Sequence, residues 1–204
     1  EFMKWCKSEK IALFVSGLLY DFRHFSFGYI NAILPYIDIK QEKKPACMAL
    51  YDNGEKCANT AKHTQRLWSK EFAIEQGLDS LVGEMPAYGF VDKEKKTIAE
   101  GYIAAPFFDK TVRIEEEKQN KVVYLPVCTT CAKLPFKNET FDVYRAVVQG
   151  VDQGGARGEK PRLQNEALLP SITQFLLSEN WIREEKGKYV ALPYFKNRVG
   201  SFSP

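Results

Sequence analysis

Four cysteines carry the spacing in this sequence that most clearly specifies a chemistry. Cys47 and Cys57 bracket the stretch PACMALYDNGEKC, and about seventy residues later Cys128 and Cys131 follow in LPVCTTC. A thiolate is a soft, strong ligand for zinc, and two such pairs, each held in a tight turn, supply the sulfurs of one tetrahedral ion. Cys47, Cys57, Cys128 and Cys131 are therefore expected to form a structural Zn2+ site. With all its positions filled by sulfur, such an ion folds a protein and leaves no place for an activated water, which argues against zinc-dependent hydrolysis. His63 lies close enough in sequence to substitute for one sulfur, since Cys3His sites also occur. A redox Cys-x2-Cys normally opens a helix in a βαβ setting, whereas this pair follows an expected hairpin. Cys6 stands apart as an unligated thiol.

Other chemistry is thinly represented. Two histidines give little general acid–base capacity, and no Gly-x-Ser-x-Gly, His-Glu-x-x-His or kinase signature occurs. A His-Asn-His nuclease needs a second histidine near the knuckle, and only His63 is in range. Scattered carboxylates such as Asp79, Glu84, Asp92 and Glu100 leave a metal-dependent nuclease as an alternative, although their spacing does not set them apart from surface charges. The run GVDQGGARGEKP lacks the Gly-Lys-Ser/Thr ending of a phosphate-binding loop.

Composition bounds the rest. The chain has 204 residues, 45% of them hydrophobic, with 14 Phe and 10 Tyr, enough for a packed core. A net charge of +3 permits an acidic partner without demanding one. An odd count of five cysteines fits metal-bound thiols in a reducing compartment better than a disulfide framework, so the expected location is cytoplasmic. The longest apolar run, 11–39, is interrupted by Asp21, Arg23, His24 and Pro35, which excludes it as a membrane-spanning helix and predicts a soluble protein. Glu1 and Phe2 precede Met3 in the manner of a cloning remnant.

The elements that must position the cysteines read as an α+β fold: a zinc-knuckle or ribbon-centred domain with β-hairpins, N-terminal helices and a winged-helix-like C-terminal segment. Ser8 is a candidate N-cap for an amphipathic helix over 9–23, with Ile11, Phe14, Val15, Leu18 and Leu19 at helical spacing. The aromatic stretch 24–36 is expected to hold a short helix ending before Pro35, with His24 as a core or boundary residue. Asn53-Gly54 predicts a tight turn that brings Cys47 and Cys57 together. The spacing predicts a helix over 64–76, stopped by Gly77. Residues 89–91 and 97–103, then 111–114 and 121–125, read as two hairpins with charged tips; 141–148 is a helix or strand. Residues 150–161 read as a linker, which divides the chain into a zinc-centred domain over 3–149 and a C-terminal module over 162–204.

In that module, helical segments over 163–169 and from 170 onward are followed by a hairpin turning at EEKGK. This order resembles the end of a winged-helix module, in which a helix reads nucleic acid and the hairpin forms the wing. Candidate phosphate contacts are Lys62, Arg66 and Lys70, on one face of the expected helix; Lys133 and Lys137, beside the second pair; and Arg183, Lys186 and Lys188, on the wing. Trp68 or Tyr189 would be placed to stack on unpaired bases.

The stretch CMALYDNGEKCANTA resembles the small zinc-knuckle pattern Cys-x-Ala/Gly…Gly-x-x-Cys-x-x-x-Ala, with Cys128 and Cys131 taking the place of its usual nearby partners. In outline, separated cysteine pairs in a small basic protein also resemble the zinc-bearing subunit of type IV CRISPR effector complexes. Nine residues rather than two separate the first pair here, and membership is not assigned on this basis. Together these features predict a zinc-stabilised nucleic-acid-binding subunit of a larger prokaryotic, phage or mobile-element complex, regulatory or effector-like. The alternatives are a metal-dependent nuclease and a protein-interaction adaptor whose zinc is purely structural.

Overall fold

A computed structural model describes residues 1–27, 30–51, 53–91, 98–109, 121–149 and 166–192. The fold is mixed α+β and divides into two compact units, one of Glu1–Ala105 with Thr111–Lys133 and the other of Pro106–Lys110 with Leu134–Pro204. Among the described residues, no helix is long and apolar enough to cross a membrane.

The first unit is built on a four-stranded antiparallel sheet. Its strands are β1 (His63–Ser69), β2 (Ala87–Val91), β3 (Ile98–Ala104) and β4 (Val122–Val127), in the order β2-β3-β1-β4. β1 lies in the interior of this sheet and pairs with β4 from His63↔Val127 to Trp68↔Val122, and with β3 at Leu67↔Ala104. The expected hairpin of 89–91 with 97–103 is present as β2–β3, with an irregularity between Tyr88 and Phe90. The partner expected for β4, residues 111–114, lies outside the described residues, as does the linker 150–161.

β1 corrects the expected helix over 64–76. Gln65, Arg66, Leu67 and Trp68 are all buried, so both faces of this strand are covered and the alternation that would have marked it is missing. The helix begins later, as α3 (Lys70–Glu75), where the Ser69 hydroxyl accepts the Phe72 N–H at 3.1 Å. Gly77 ends the segment at φ 73°, as expected.

The helix expected over 9–23 is absent as well. α1 occupies Phe2–Ser8, and the Ser8 hydroxyl donates to the Trp5 carbonyl at 2.8 Å instead of capping a following helix. Lys10, at φ 55°, then turns the chain out of helical geometry. Residues 11–18 run on without regular structure, and a short helix α2 (Ile30–Ile33) leads into a 3₁₀ turn, Leu34–Tyr36, which accommodates Pro35 near its start.

The second unit contains α4 (Lys137–Val148), α5 (Leu169–Ser178) and the hairpin β5 (Ile182–Glu185) with β6 (Lys188–Ala191). Trp181 is its centre: the rings of Phe141, Tyr144 and Phe175 lie 5.9, 5.9 and 5.3 Å from it. Such a cluster of tilted and edge-on rings buries a large apolar area in few residues.

Candidate metal centre

Both cysteine pairs are delivered to one place by the ends of the sheet. The first pair sits in a loop that folds back on itself, with bridges at Ala46↔Thr60 and Leu50↔Lys56. Its turn is the expected one: the Gly54 N–H donates to the Tyr51 carbonyl at 2.8 Å, and Gly54 adopts φ 80°, which only glycine reaches at low cost. Two strands hold this loop down. Met48 N–H donates to the Pro126 carbonyl on β4 at 2.9 Å, and Leu50 N–H donates to the Gly89 carbonyl on β2 at 3.1 Å. The second pair follows directly from β4. Cys131 and Ala132 N–H groups both donate to the Cys128 carbonyl, at 3.2 and 3.0 Å, closing the turn between the two sulfurs.

The result is a cluster in which the Sγ atoms of Cys47, Cys57, Cys128 and Cys131 all lie within 4.8 Å of one another, in an arrangement that could hold a metal ion. Cys57 and Cys128 sulfurs are 3.7 Å apart. Sulfurs tetrahedrally placed at ~2.3 Å from zinc would be about 3.8 Å apart, so the pocket is nearly of the right size. Cys47, Cys57 and Cys128 are buried and Cys131 is half-buried, and all are free thiols.

Neighbouring groups set the charge of these sulfurs. The Tyr51 hydroxyl donates to Cys57 Sγ at 3.2 Å and, with the Asn59 N–H, brings that thiol down to about 6. Ala58 stands between them at φ 52°, a left-handed residue directly after the ligand that turns the Asn59 amide towards the sulfur. The Cys131 N–H likewise lowers the Cys128 thiol. Burial raises the thiols of Cys47 and Cys131. Such a mixed set becomes uniformly anionic only when a cation enters, because ligation requires each sulfur to lose its proton.

Sequence reasoning missed the second layer. The Tyr88 hydroxyl donates to the Cys131 carbonyl, and the side-chain oxygen of buried Gln65 accepts the Lys133 N–H at 2.8 Å. These bonds pin the chain from the Cys131 carbonyl to Lys133, directly after the ligand candidate. Gln65 gives no signal in the sequence, and Tyr51, Ala58 and Tyr88 are ordinary residues until the chain folds around the sulfurs.

The other candidate residues fare unequally. His63 is not in the sulfur cluster: its Nε2 lies 3.2 Å from the Thr129 hydroxyl, and its ring stacks on His24 with centroids 4.0 Å apart. Burial, with Lys62 beside it, lowers the His63 pKa. Cys6 is buried away from the cluster, within α1. Arg66 is fully buried, hydrogen-bonded to the Tyr124 hydroxyl and placed over the rings of Phe22 and Tyr124 at 5.4 and 5.3 Å, so it is no surface phosphate contact. Trp68 is 2% exposed and does not offer a stacking face. Lys62 and Lys70 are exposed, but because β1 runs between them they are separated by roughly 25 Å of chain and do not share a helical face. Lys133 is exposed two residues after Cys131. In the second unit Lys137, Arg183, Lys186 and Lys188 are exposed, and Arg183 is paired with Glu185 at 2.5 Å.

Fold and site together define an α+β protein with a convergent cluster of cysteines able to hold a metal ion. No family model matches the chain, and no curated protein or solved structure matches it either.

Proposed function

We propose that this is a zinc-stabilised nucleic-acid-binding protein, working as a subunit of a larger assembly, in which the ion holds the fold and the binding surface surrounds it. The observation that carries this reading is the convergence of the four sulfurs within 4.8 Å of one another, with Cys57 and Cys128 at 3.7 Å, close to the spacing in a tetrahedral site. A filled sulfur shell supplies no catalytic water, so the ion acts on the position of its neighbours rather than on a substrate. Those neighbours include exposed lysines: Lys62, whose N–H donates to the Val127 carbonyl at 2.9 Å beside Cys128, and Lys133, beyond Cys131. Cations on a metal-fixed turn keep their spacing and can follow a phosphate backbone. In the second unit, Arg183, Lys186 and Lys188 on the β5–β6 hairpin would make a contact of their own, as the wing of a winged-helix-like unit.

One observation favours an adaptor as the second reading. α5, the helix that would read a groove, has no basic residue, and together with Tyr189 it forms a shallow apolar depression lined by Leu169, Pro170, Thr173, Gln174 and Leu177. Such a surface suits a protein partner better than a phosphate backbone.

The test combines metal content with binding. One zinc per chain, lost in Cys128→Ser together with thermal stability, is the expected result for the site. Labelled single-stranded and duplex oligonucleotides, titrated across a salt series, should bind with a slope that falls by roughly 1.4 and 1.8, respectively, in Lys62→Gln/Lys133→Gln. Zinc without salt-dependent binding would overturn the nucleic-acid reading and leave the adaptor.

A further inference from the structure

Within the sulfur cluster, Cys57 and Cys128 are placed to react with each other. Their sulfurs are 3.7 Å apart, so a disulfide of ~2.05 Å needs them to close by roughly 1.7 Å, shared between two side-chain rotations. Backbone bonds that owe nothing to an ion hold the pair in place. Met48 and Lys62 N–H groups donate to the Pro126 and Val127 carbonyls, each at 2.9 Å, and so tie the chain on both sides of Cys57 to the end of β4, just before Cys128. The Cys57 N–H itself donates to the Ala49 carbonyl at 3.0 Å. Cys57 also has a hydroxyl on its sulfur: Tyr51 donates to it at 3.2 Å and is 47% exposed, so this proton donor is in contact with water. A thiolate that attacks a peroxide expels hydroxide, and a donor beside the sulfur is what that leaving group needs. An adjacent thiol then captures the sulfenic acid before it oxidises further.

We infer that Cys57 and Cys128 are a peroxide-reactive dithiol, Cys57 attacking and Cys128 resolving, whose disulfide releases the ion. In the first step the Cys57 sulfur bonds to one peroxide oxygen and the O–O bond breaks. The departing hydroxide takes the Tyr51 proton, which water replaces, and Cys57 is left as a sulfenic acid. In the second, the Cys128 sulfur bonds to the Cys57 sulfur, the S–O bond breaks and hydroxide leaves with a proton from solvent. Two thiols and one hydrogen peroxide thus become one disulfide and two waters; the sulfurs are oxidised and both peroxide oxygens reduced. Cys47 and Cys131 remain as thiols, too few to hold a tetrahedral ion. Ion release rests on the zinc reading above, whereas the disulfide does not. The new bond closes the same loop between positions 71 apart that the ion would close, so the oxidised chain exchanges a metal cross-link for a covalent one.

The test treats the full wild-type chain, zinc-loaded and chelator-stripped, with hydrogen peroxide, blocks the remaining thiols with iodoacetamide and maps the peptides by mass spectrometry. A cross-linked peptide joining Cys57 to Cys128 is expected in both samples, with Cys6, Cys47 and Cys131 alkylated and the link reversed by dithiothreitol. In the loaded sample a chromogenic chelator should register one zinc released per disulfide. A disulfide joining Cys128 to Cys131, or oxidation confined to Cys131, overturns the pairing. A chain that holds no zinc yet forms the Cys57–Cys128 link fails the zinc reading alone; one that holds zinc and forms no such link fails the dithiol alone. Tyr51→Phe tests the donor in the stripped protein. Peroxide and iodoacetamide both need the thiolate, but departing iodide needs no proton, so the ratio of the two rates at Cys57 should fall about 100-fold. An unchanged ratio overturns Tyr51 as the proton donor. None of these readouts depends on nucleic-acid binding.

Discussion

Replacing Cys128 and Cys131 together with serine should remove the cross-link that an ion held by the four sulfurs would make across the sheet. Cys57 and Cys128 are 71 positions apart, and their sulfurs meet in the cluster. In the chain-entropy treatment of a cross-link, closing a loop of that length is worth about 4 kcal/mol through the restriction it places on the unfolded chain. A metal clamp restricts the unfolded chain in the same way only while it is bound, so the loss appears in full once half the ligands are gone. Against a typical stability of ~5–15 kcal/mol this is a large fraction. With ~2–4 °C per kcal/mol for a chain of this size, the first unit should melt roughly 10–15 °C lower. The assay is calorimetry on the zinc-loaded wild type and on Cys128→Ser/Cys131→Ser, with metal measured in the same samples. Because Cys128 is buried, a serine hydroxyl there adds a desolvation cost of about 1–3 kcal/mol. The corresponding alanine pair lacks that hydroxyl and should still show most of the shift. Melting within ~2 °C of wild type in both variants, or a wild type that fails to retain zinc, would refute the cross-link argument.

Further outcomes follow from the neighbours of the site and from the two cores. Tyr51→Phe removes the hydrogen bond that holds the Cys57 thiol near 6, so that thiol titrates at higher pH and the pH midpoint of zinc loading should move up, with affinity ~10–100-fold weaker in a chelator competition. The sign is fixed by linkage. A lowered folded-state pKa favours the metal-free fold fully only above the unfolded thiol value of 9.0, and that contribution vanishes as pH falls through 6, so acid should release the metal and loosen the fold together. Arg66→Ala should cost on the order of 3 kcal/mol in urea denaturation, since it empties a fully buried position and strips the Tyr124 hydroxyl of a partner, whereas Lys62→Gln at an exposed position should change stability by less than ~0.5 kcal/mol. Trp181→Ala should cost ~3–5 kcal/mol by opening the ring cluster of the second unit, read as loss of near-ultraviolet circular dichroism.

The cysteine cluster was legible in the sequence because its signal is local. Two cysteines near an Asn-Gly turn and two in Cys-x2-Cys must each lie close together whatever the rest of the chain does, and sulfur has few roles that reward such pairing. The β2–β3 hairpin, the Gly77 stop and the helix from 170 onward were readable for the same reason, since turn residues and capping chemistry act over a few positions, whereas 141–148 read equally as helix or strand. Residues 63–69 were not. Their covered faces erase the period of two, and their neighbours β3 and β4 lie tens of residues away, so pairing outweighs the weak helical pattern. Arg66 shows the consequence: a cation that looks like a surface contact becomes a core residue once β1 is drawn into the sheet. Residues 11–18 show the converse, an apolar pattern at helical spacing that the fold leaves exposed and without regular structure. The sequence by itself determined which atoms are candidates to hold an ion, because ligand chemistry belongs to residue type. Tertiary structure alone decided that four sulfurs separated by up to 84 positions share one centre, and that Tyr51, Gln65 and Tyr88 support it, because that proximity arises only when the ends of β4 and the knuckle loop are hydrogen-bonded together.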